Sequence, residues 1–155
     1  MKKILLIISH LAFAAIGFAA GIFTLPILTA PDGPDKSVVE AQSKQAKFTT
    51  EFKRDLKGSD FLHWGEGKVS ISDSSISLMG KIAPGPDYKL YLSPSFVETK
   101  EDFEKVKSAS LNVGEVKTFD NFIVPISDTT DLSKYNTIVI WCETFGAFIT
   151  SAKYQ

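Results

Sequence analysis

Cys142 is the only cysteine of this 155-residue chain, and it closes a short apolar run, Ile138-Val139-Ile140-Trp141-Cys142. A single thiol has no partner for a disulfide within its own chain. It must therefore be buried and inert, bound to another group, or chemically active. Most of the functional question depends on which of these three holds.

The number of available ligands limits the metal chemistry. Outside the apolar first thirty residues the chain offers one histidine, His63, together with Cys142 and Met79. A blue-copper site needs two histidines and a cysteine, usually with an axial methionine, and a structural zinc site needs four ligands. No metal site is therefore predicted. The Cys-x-x-Cys-His motif of covalent c-type haem is also absent, whereas non-covalent haem with Cys or His ligation remains open.

Signatures of enzymes are missing as well. The sequence has no nucleophile elbow, no phosphate-binding glycine loop and no metalloprotease helix motif. Its acidic residues are scattered, and no pair is placed for acid–base work. We expect no stand-alone enzyme.

The chain begins with a segment long enough to cross a membrane. Residues 4–28 carry no charge, and only three of them are polar: Ser9, His10 and Thr24. About 20 apolar residues span the hydrocarbon core. The exit of the segment, Leu28-Thr29-Ala30, has no small-x-small cleavage site and is followed by Pro31. We therefore expect an uncleaved signal anchor that forms a transmembrane helix.

Charge indicates the topology and excludes one class of partner. Lys2 and Lys3 precede the span, which predicts that the rest of the chain lies outside the cytoplasm, in a periplasmic or extracellular space. That part holds all 18 acidic residues and all but those two of the 17 basic ones, so it is mildly acidic. Nucleic-acid partners need a basic face and are not expected. The predicted partners are the membrane, through the helix, and an unidentified redox or cell-surface protein.

The chain divides into three parts by composition. Residues 1–30 are the signal anchor, residues 31–55 a juxtamembrane linker, and residues 56–155 a β domain. The linker opens with Pro31-Asp32-Gly33-Pro34-Asp35, which ends the membrane helix. Its remainder is polar, typical of a tether or a short, weakly held helix.

Within the β domain, apolar and polar residues alternate with a period of two, which is typical of half-buried antiparallel strands. This alternation occupies residues 68–72, 75–78, 88–93 and 121–126. Residues 137–143 and 147–153 are more continuously apolar and predict central strands. Thr99 followed by Asp102 predicts a capped helix over 99–106, and residues 130–135 a single turn. The predicted fold is all-β, an antiparallel sandwich or small barrel of about seven or eight strands.

Several motifs occur in an order that resembles one family. They are Gly58-Ser59-Asp60-Phe61, His63-Trp64-Gly65-Glu66-Gly67, Pro84-Gly85-Pro86-Asp87-Tyr88-Lys89-Leu90-Tyr91-Leu92-Ser93, Val113-Gly114-Glu115-Val116 and Ile140-Trp141-Cys142-Glu143-Thr144-Phe145-Gly146. From about Lys57 to Tyr154 the chain is similar to the DM-thirteen domain, which is often joined to DOMON-type modules on animal cell surfaces and occurs alone in bacteria.

The resemblance implies a role in electron transfer. In that family the cysteine is proposed to serve as a free redox thiol or as a ligand of a prosthetic group such as haem. Cys142 is the matching position, and His63 matches a recurrent early histidine. His63 would then be a second haem ligand or a cation that lowers the pKa of the thiol.

Each of these residues also has a structural interpretation. On a regular strand Cys142 shares a face with Ile138 and Ile140, and free cysteine is often an inert core residue. Glu143, at the end of the apolar run, indicates instead a position near the exit of the strand towards solvent. His63 can simply hydrogen-bond a backbone carbonyl. Two hypotheses follow: an anchored redox accessory centred on Cys142, or a non-catalytic binding or scaffold module with a buried cysteine.

Overall fold

The first element is a long, exposed, apolar helix. The computed structural model describes residues 2–155, without the side chain of Phe23; Met1, part of the predicted cytoplasmic end, lies outside this range. Helix α1, Lys2–Thr29, has 28 residues and is long and apolar enough to cross a membrane. At 1.5 Å per residue its length is about 42 Å, which exceeds the ~30 Å hydrocarbon core. Such a helix suits a membrane anchor or a signal sequence.

Eight antiparallel strands form two four-stranded sheets, with the orders β1-β2-β3-β6 and β5-β4-β7-β8. The strands are β1 Phe48–Phe52, β2 Gly65–Ile71, β3 Ser75–Ile82, β4 Tyr88–Ser93, β5 Leu111–Val116, β6 Asp120–Pro125, β7 Thr137–Cys142 and β8 Ala147–Lys153. The predicted sandwich is confirmed, and residues 2–155 form no closed barrel. The class is not strictly all-β, because α1 is joined by α2 (Lys36–Ser43), α3 (Lys100–Val106) and two short 3₁₀ turns (Lys107–Ala109 and Leu132–Lys134).

The main core lies between the two sheets. Side chains alternate across each strand, so Ile138, Ile140 and Cys142 share one face of β7, as predicted, and this face points inward. They meet residues of the opposite sheet such as Ile76 and Leu78, which are fully buried. The face assignment of Cys142 made from the sequence is therefore correct.

A second, smaller core covers the outer face of the β4–β7 sheet. Helix α3 begins where predicted, because the side chain of Thr99 accepts a hydrogen bond from the backbone N–H of Asp102 at 3.2 Å. This orientation places Phe103 over Tyr91 and Trp141, with ring centroids 5.2 and 5.1 Å away. The second predicted helical turn forms the 3₁₀ segment Leu132–Lys134.

Much of the segment between α1 and residue 55 lies on the sandwich. In α2, Val39 is 1% exposed and Gln42 donates a hydrogen bond to the hydroxyl of Ser75 at 2.7 Å. Strand β1 pairs antiparallel with β2 along its whole length. Gly33 lies so close to the backbone of Asp120 that a Cβ would be 2.4 Å from its carbonyl oxygen. The connection between α1 and the sandwich is therefore held in place by direct contacts.

Candidate functional site

Cys142 is the last residue of β7, between Tyr88 of β4 and Ala147 of β8. Only 2% of the residue is exposed. Its Sγ donates a hydrogen bond to the carbonyl oxygen of Pro86, at a distance of 3.0 Å. The thiol is thus covered by the turn that leads into β4.

The surroundings of the sulfur favour the protonated thiol. Burial raises the pKa of Cys142, and the negative charges of Asp87 and Glu143 raise it further. Backbone N–H groups of Phe145 and Thr144 act in the opposite direction, because they hydrogen-bond the sulfur and stabilise a thiolate. The net effect is upward, so the thiol is protonated at neutral pH.

The turn over the thiol is fixed by its own contacts. Asp87 has a left-handed backbone, φ 53°, a conformation that aspartate tolerates better than most residues. Its carbonyl oxygen accepts from the N–H of Glu143 at 3.1 Å, and its carboxylate binds Lys89 at 3.0 Å. Access to the sulfur therefore requires displacement of an ordered turn.

His63 is held by a carboxylate in its own loop. Its Nδ1 lies 2.9 Å from Asp60 Oδ2, and Asp60 also accepts from the backbone N–H groups of Leu62 and His63. The hydrogen bond from His63 lowers the pKa of Asp60, so the carboxylate is ionised and Nδ1 carries the proton. Nε2 has no hydrogen-bond partner in the part of the chain that the structure describes, an orientation also found in histidines that ligate metals.

The polar contacts of the two predicted site residues go to different partners. Cys142 is bound to Pro86 and His63 to Asp60, and neither residue lines either of the two clefts beside the end of α1. Iron could reach the sulfur only after the turn at Pro86 had moved. Haem ligation by Cys142 and His63 stays a prediction. Within residues 2–155, no group of three or more His, Cys, Asp or Glu side chains is placed to hold a metal ion.

A family model described as electron transfer DM13 matches residues 47–154, well over half of the chain. The chain belongs to the DM13 family. This confirms the family assignment made from the motifs. The match includes β1, which precedes the first recognised motif, and contains both Cys142 and His63. No curated protein and no solved structure matches the chain.

The outer face of this DM13 domain carries a polar network that sequence reasoning missed. Glu143 accepts hydrogen bonds from Lys107 at 2.6 Å and from the Tyr91 hydroxyl. The Lys107 ammonium also lies 5.3 Å from the Trp141 ring centroid, within range of a cation–π interaction. One feature of the sequence could have indicated part of this network: the two-residue period of β7 places Trp141 and Glu143 on the same side of the sheet.

Glu143 is therefore a partly buried member of this network and does not mark an exit of the strand to solvent. Burial raises the pKa of its carboxyl, but the hydrogen bonds from Lys107 and Tyr91 outweigh this effect, and the pKa is lowered overall. The Nε1 of Trp141 is buried and has no hydrogen-bond partner among residues 2–155. This network holds the peptide that follows Cys142 and so restricts movement on one side of the thiol.

Proposed function

We propose that this DM13 domain is an electron-transfer accessory, anchored in the membrane by α1, and that Cys142 is its redox thiol. The observation that carries the proposal is the match of residues 47–154 to an electron-transfer family, with Cys142 inside it. The domain stands outside the cytoplasm, because Lys2 and Lys3 precede the span. His63, with Nε2 free, is the second candidate residue.

The local geometry indicates that the Cys142 thiol is buried but lies directly beneath a surface turn. One turn, Pro86-Asp87, separates Cys142 from the surface, and its carbonyl group holds the thiol in a defined orientation. The backbone N–H groups of Thr144 and Phe145 act to lower the pKa of the thiol, so they would stabilise a thiolate formed there. A small displacement of the turn at Pro86 would expose the sulfur to a partner.

The substitution Cys142→Ser tests this proposal, because serine keeps a donor for Pro86 but has no redox chemistry. Electron transfer would be followed as the rate of cytochrome reduction in native membranes that carry either form of the full chain. We expect a large loss of rate in the Cys142→Ser protein, with unchanged circular dichroism. Thr137→Ser, at the other end of β7, is the matched control. An unchanged rate in Cys142→Ser would contradict the proposal.

The burial of Cys142 supports a second function, that of a non-catalytic binding or scaffold module. The residue is 2% exposed and the pKa of its thiol is raised, which is typical of a structural core cysteine. This alternative predicts maleimide labelling only after denaturation, a colourless purified protein and normal electron transfer in Cys142→Ser. A Soret band in protein purified from its native membrane would instead indicate haem.

A further inference from the structure

The end of α1 and the sandwich enclose a cleft next to Cys142. It has a volume of about 430 Å³. One wall is the last turn of α1, including Leu25, Pro26 and Thr29, and the other is formed by the Gly85–Lys89 segment with Val116 and Phe119. A volume of this size is within the usual range of small-molecule sites.

Tyr88 is the polar group best placed to bind a ligand in this cleft. The residue is 3% exposed, yet it lines the cleft, and its hydroxyl lies so close to Gly85 that a Cβ there would be 2.3 Å away. The hydroxyls of Tyr91 and Tyr154 donate to protein acceptors. That of Tyr88 has no hydrogen-bond partner among residues 2–155, so this nearly buried donor is available to a ligand.

The charged side chains around the cleft are already paired. Lys89 binds Asp87 at 3.0 Å and Glu115 at 2.9 Å, and Lys117 binds Glu115 at 3.0 Å. The hydrogen bonds from the two lysines lower the pKa of Glu115 to about 2, so these pairs persist at neutral pH. The walls therefore favour a neutral ligand with a hydrogen-bond acceptor over a charged phosphate head group.

The cleft lies at the level of the lipid head groups if α1 spans the membrane. The helix has 28 residues, and about 20 of them cross the hydrocarbon core, so the turn that contains Leu25 and Thr29 reaches the outer interface. The contacts of Gly33 and Val39 with the sandwich hold the domain against this turn. A lipid-soluble molecule can therefore enter the cleft from the bilayer.

We propose that this cleft binds the ring of a membrane quinone, with the Tyr88 hydroxyl donating to a quinone carbonyl oxygen. The ring is neutral and carries carbonyl acceptors, and its apolar chain would follow α1 into the bilayer. Phe119 supplies an aromatic wall, since its ring centroid is 6.0 Å from that of Tyr88. The inference rests on the proposed function and on an attached α1, and it places an electron carrier beside the turn that covers Cys142.

Binding can be measured with the full chain in phosphatidylcholine nanodiscs. The probes are a benzoquinone with one isoprene unit, titrated by quenching of tryptophan fluorescence, and its azido derivative for photo-crosslinking. We expect saturable binding and crosslinks within residues 25–30 and 85–89. Tyr88→Phe should raise Kd about 3- to 10-fold, the usual value of one hydrogen bond. Gly85→Ala should weaken binding at least as much, because its methyl group displaces the Tyr88 hydroxyl.

Tyr154→Phe is the matched control, since its hydroxyl donates to Leu132 at the opposite end of the sandwich. Its Kd should equal that of the wild type. Crosslinks spread along α1, an equal Kd for Tyr88→Phe, or a bound phospholipid that excess quinone does not displace would each overturn the proposal. The assay measures binding only. Failure to bind quinone, with electron transfer still dependent on Cys142, would remove this site and leave the proposed function standing.

Discussion

The Sγ of Cys142 and the carbonyl oxygen of Pro86 are joined by a hydrogen bond of 3.0 Å, which links the end of β7 to the turn before β4. The thiol therefore acts as a structural donor in this conformation. Any redox chemistry must begin by breaking this bond, and a partner that moves the turn would both expose the sulfur and remove its acceptor. Under the proposed function, the structural and redox roles of Cys142 would be consecutive states of one arrangement.

The raised pKa of Cys142 predicts a loss of stability at alkaline pH. The unfolded thiol ionises near pH 8.5, whereas the folded thiol ionises at a higher pH because it is buried. Its contribution is therefore complete below about pH 8.5 and is lost as the pH rises through the folded value. Relative to Cys142→Ser, the free energy of unfolding of the wild type should fall by up to about 1.4 kcal/mol per pH unit in this range. Urea unfolding between pH 7 and 10 would measure this, and parallel curves would contradict it.

For Glu143 we expect the opposite pH dependence, with a loss of stability in acid. Its folded pKa is lowered overall, because hydrogen bonds from Lys107 and Tyr91 outweigh the effect of burial. Its contribution is present above the unfolded pKa, about 4.3, and is lost as the pH falls through the folded value. Glu143→Gln should cost about 1–2 kcal/mol at pH 7 and less at pH 3. Glu51→Gln, at an exposed position of β1, is the control and should change stability little at either pH.

The strands that the sequence predicted are those with one face in the core. In β2, β3 and β4 alternate residues are apolar and buried between the sheets, so the two-residue period is visible in the chain. Strand β1 gives no such signal, because Phe52 is its only fully buried residue. It forms through pairing with β2, a long-range interaction that local patterns do not contain. Strand β5 alternates weakly. The expected central position is correct for β7 but wrong for β8, which lies at the edge of the β5-β4-β7-β8 sheet.

The candidate site, like the strands, could be predicted only in part from the sequence. The strand period correctly gave the face of Cys142, but the exit to solvent indicated by Glu143 was not found. The reason is that Pro86, more than fifty residues earlier in the chain, covers the sulfur. Lys107 and Tyr91 likewise come from other elements to bind Glu143. Contacts of this kind depend on the packing of the sheets and helices, which the sequence pattern alone does not specify.

Helix α2 offers a test of how firmly the domain is held to its anchor. Val39 is 1% exposed and Val38 is 51% exposed, although they are neighbours on the same helix. Val39→Ala removes two buried methyl groups and should cost about 1–2 kcal/mol. Val38→Ala should change stability by less than about 0.5 kcal/mol. Hydrogen exchange of the α2 amides should accelerate only in Val39→Ala, and equal acceleration in both variants would show that α2 is not docked in solution.

Thr150 predicts a stabilising substitution in the core. The residue is fully buried, and its Oγ1 has no hydrogen-bond partner within the described part of the chain. Its side chain packs directly against Gly65, where a Cβ would be 2.5 Å from the Thr150 methyl carbon. Thr150→Val replaces the unpaired hydroxyl with a methyl group of similar size and should raise the free energy of unfolding by about 1 kcal/mol. Thr137 is equally buried, but its hydroxyl donates to Asn136 at 2.7 Å, so Thr137→Val should lower the free energy by about 1 kcal/mol. Thermal unfolding of the two variants would show shifts of opposite sign. Shifts of the same sign would mean that hydrogen-bond satisfaction does not decide the stability of these two positions.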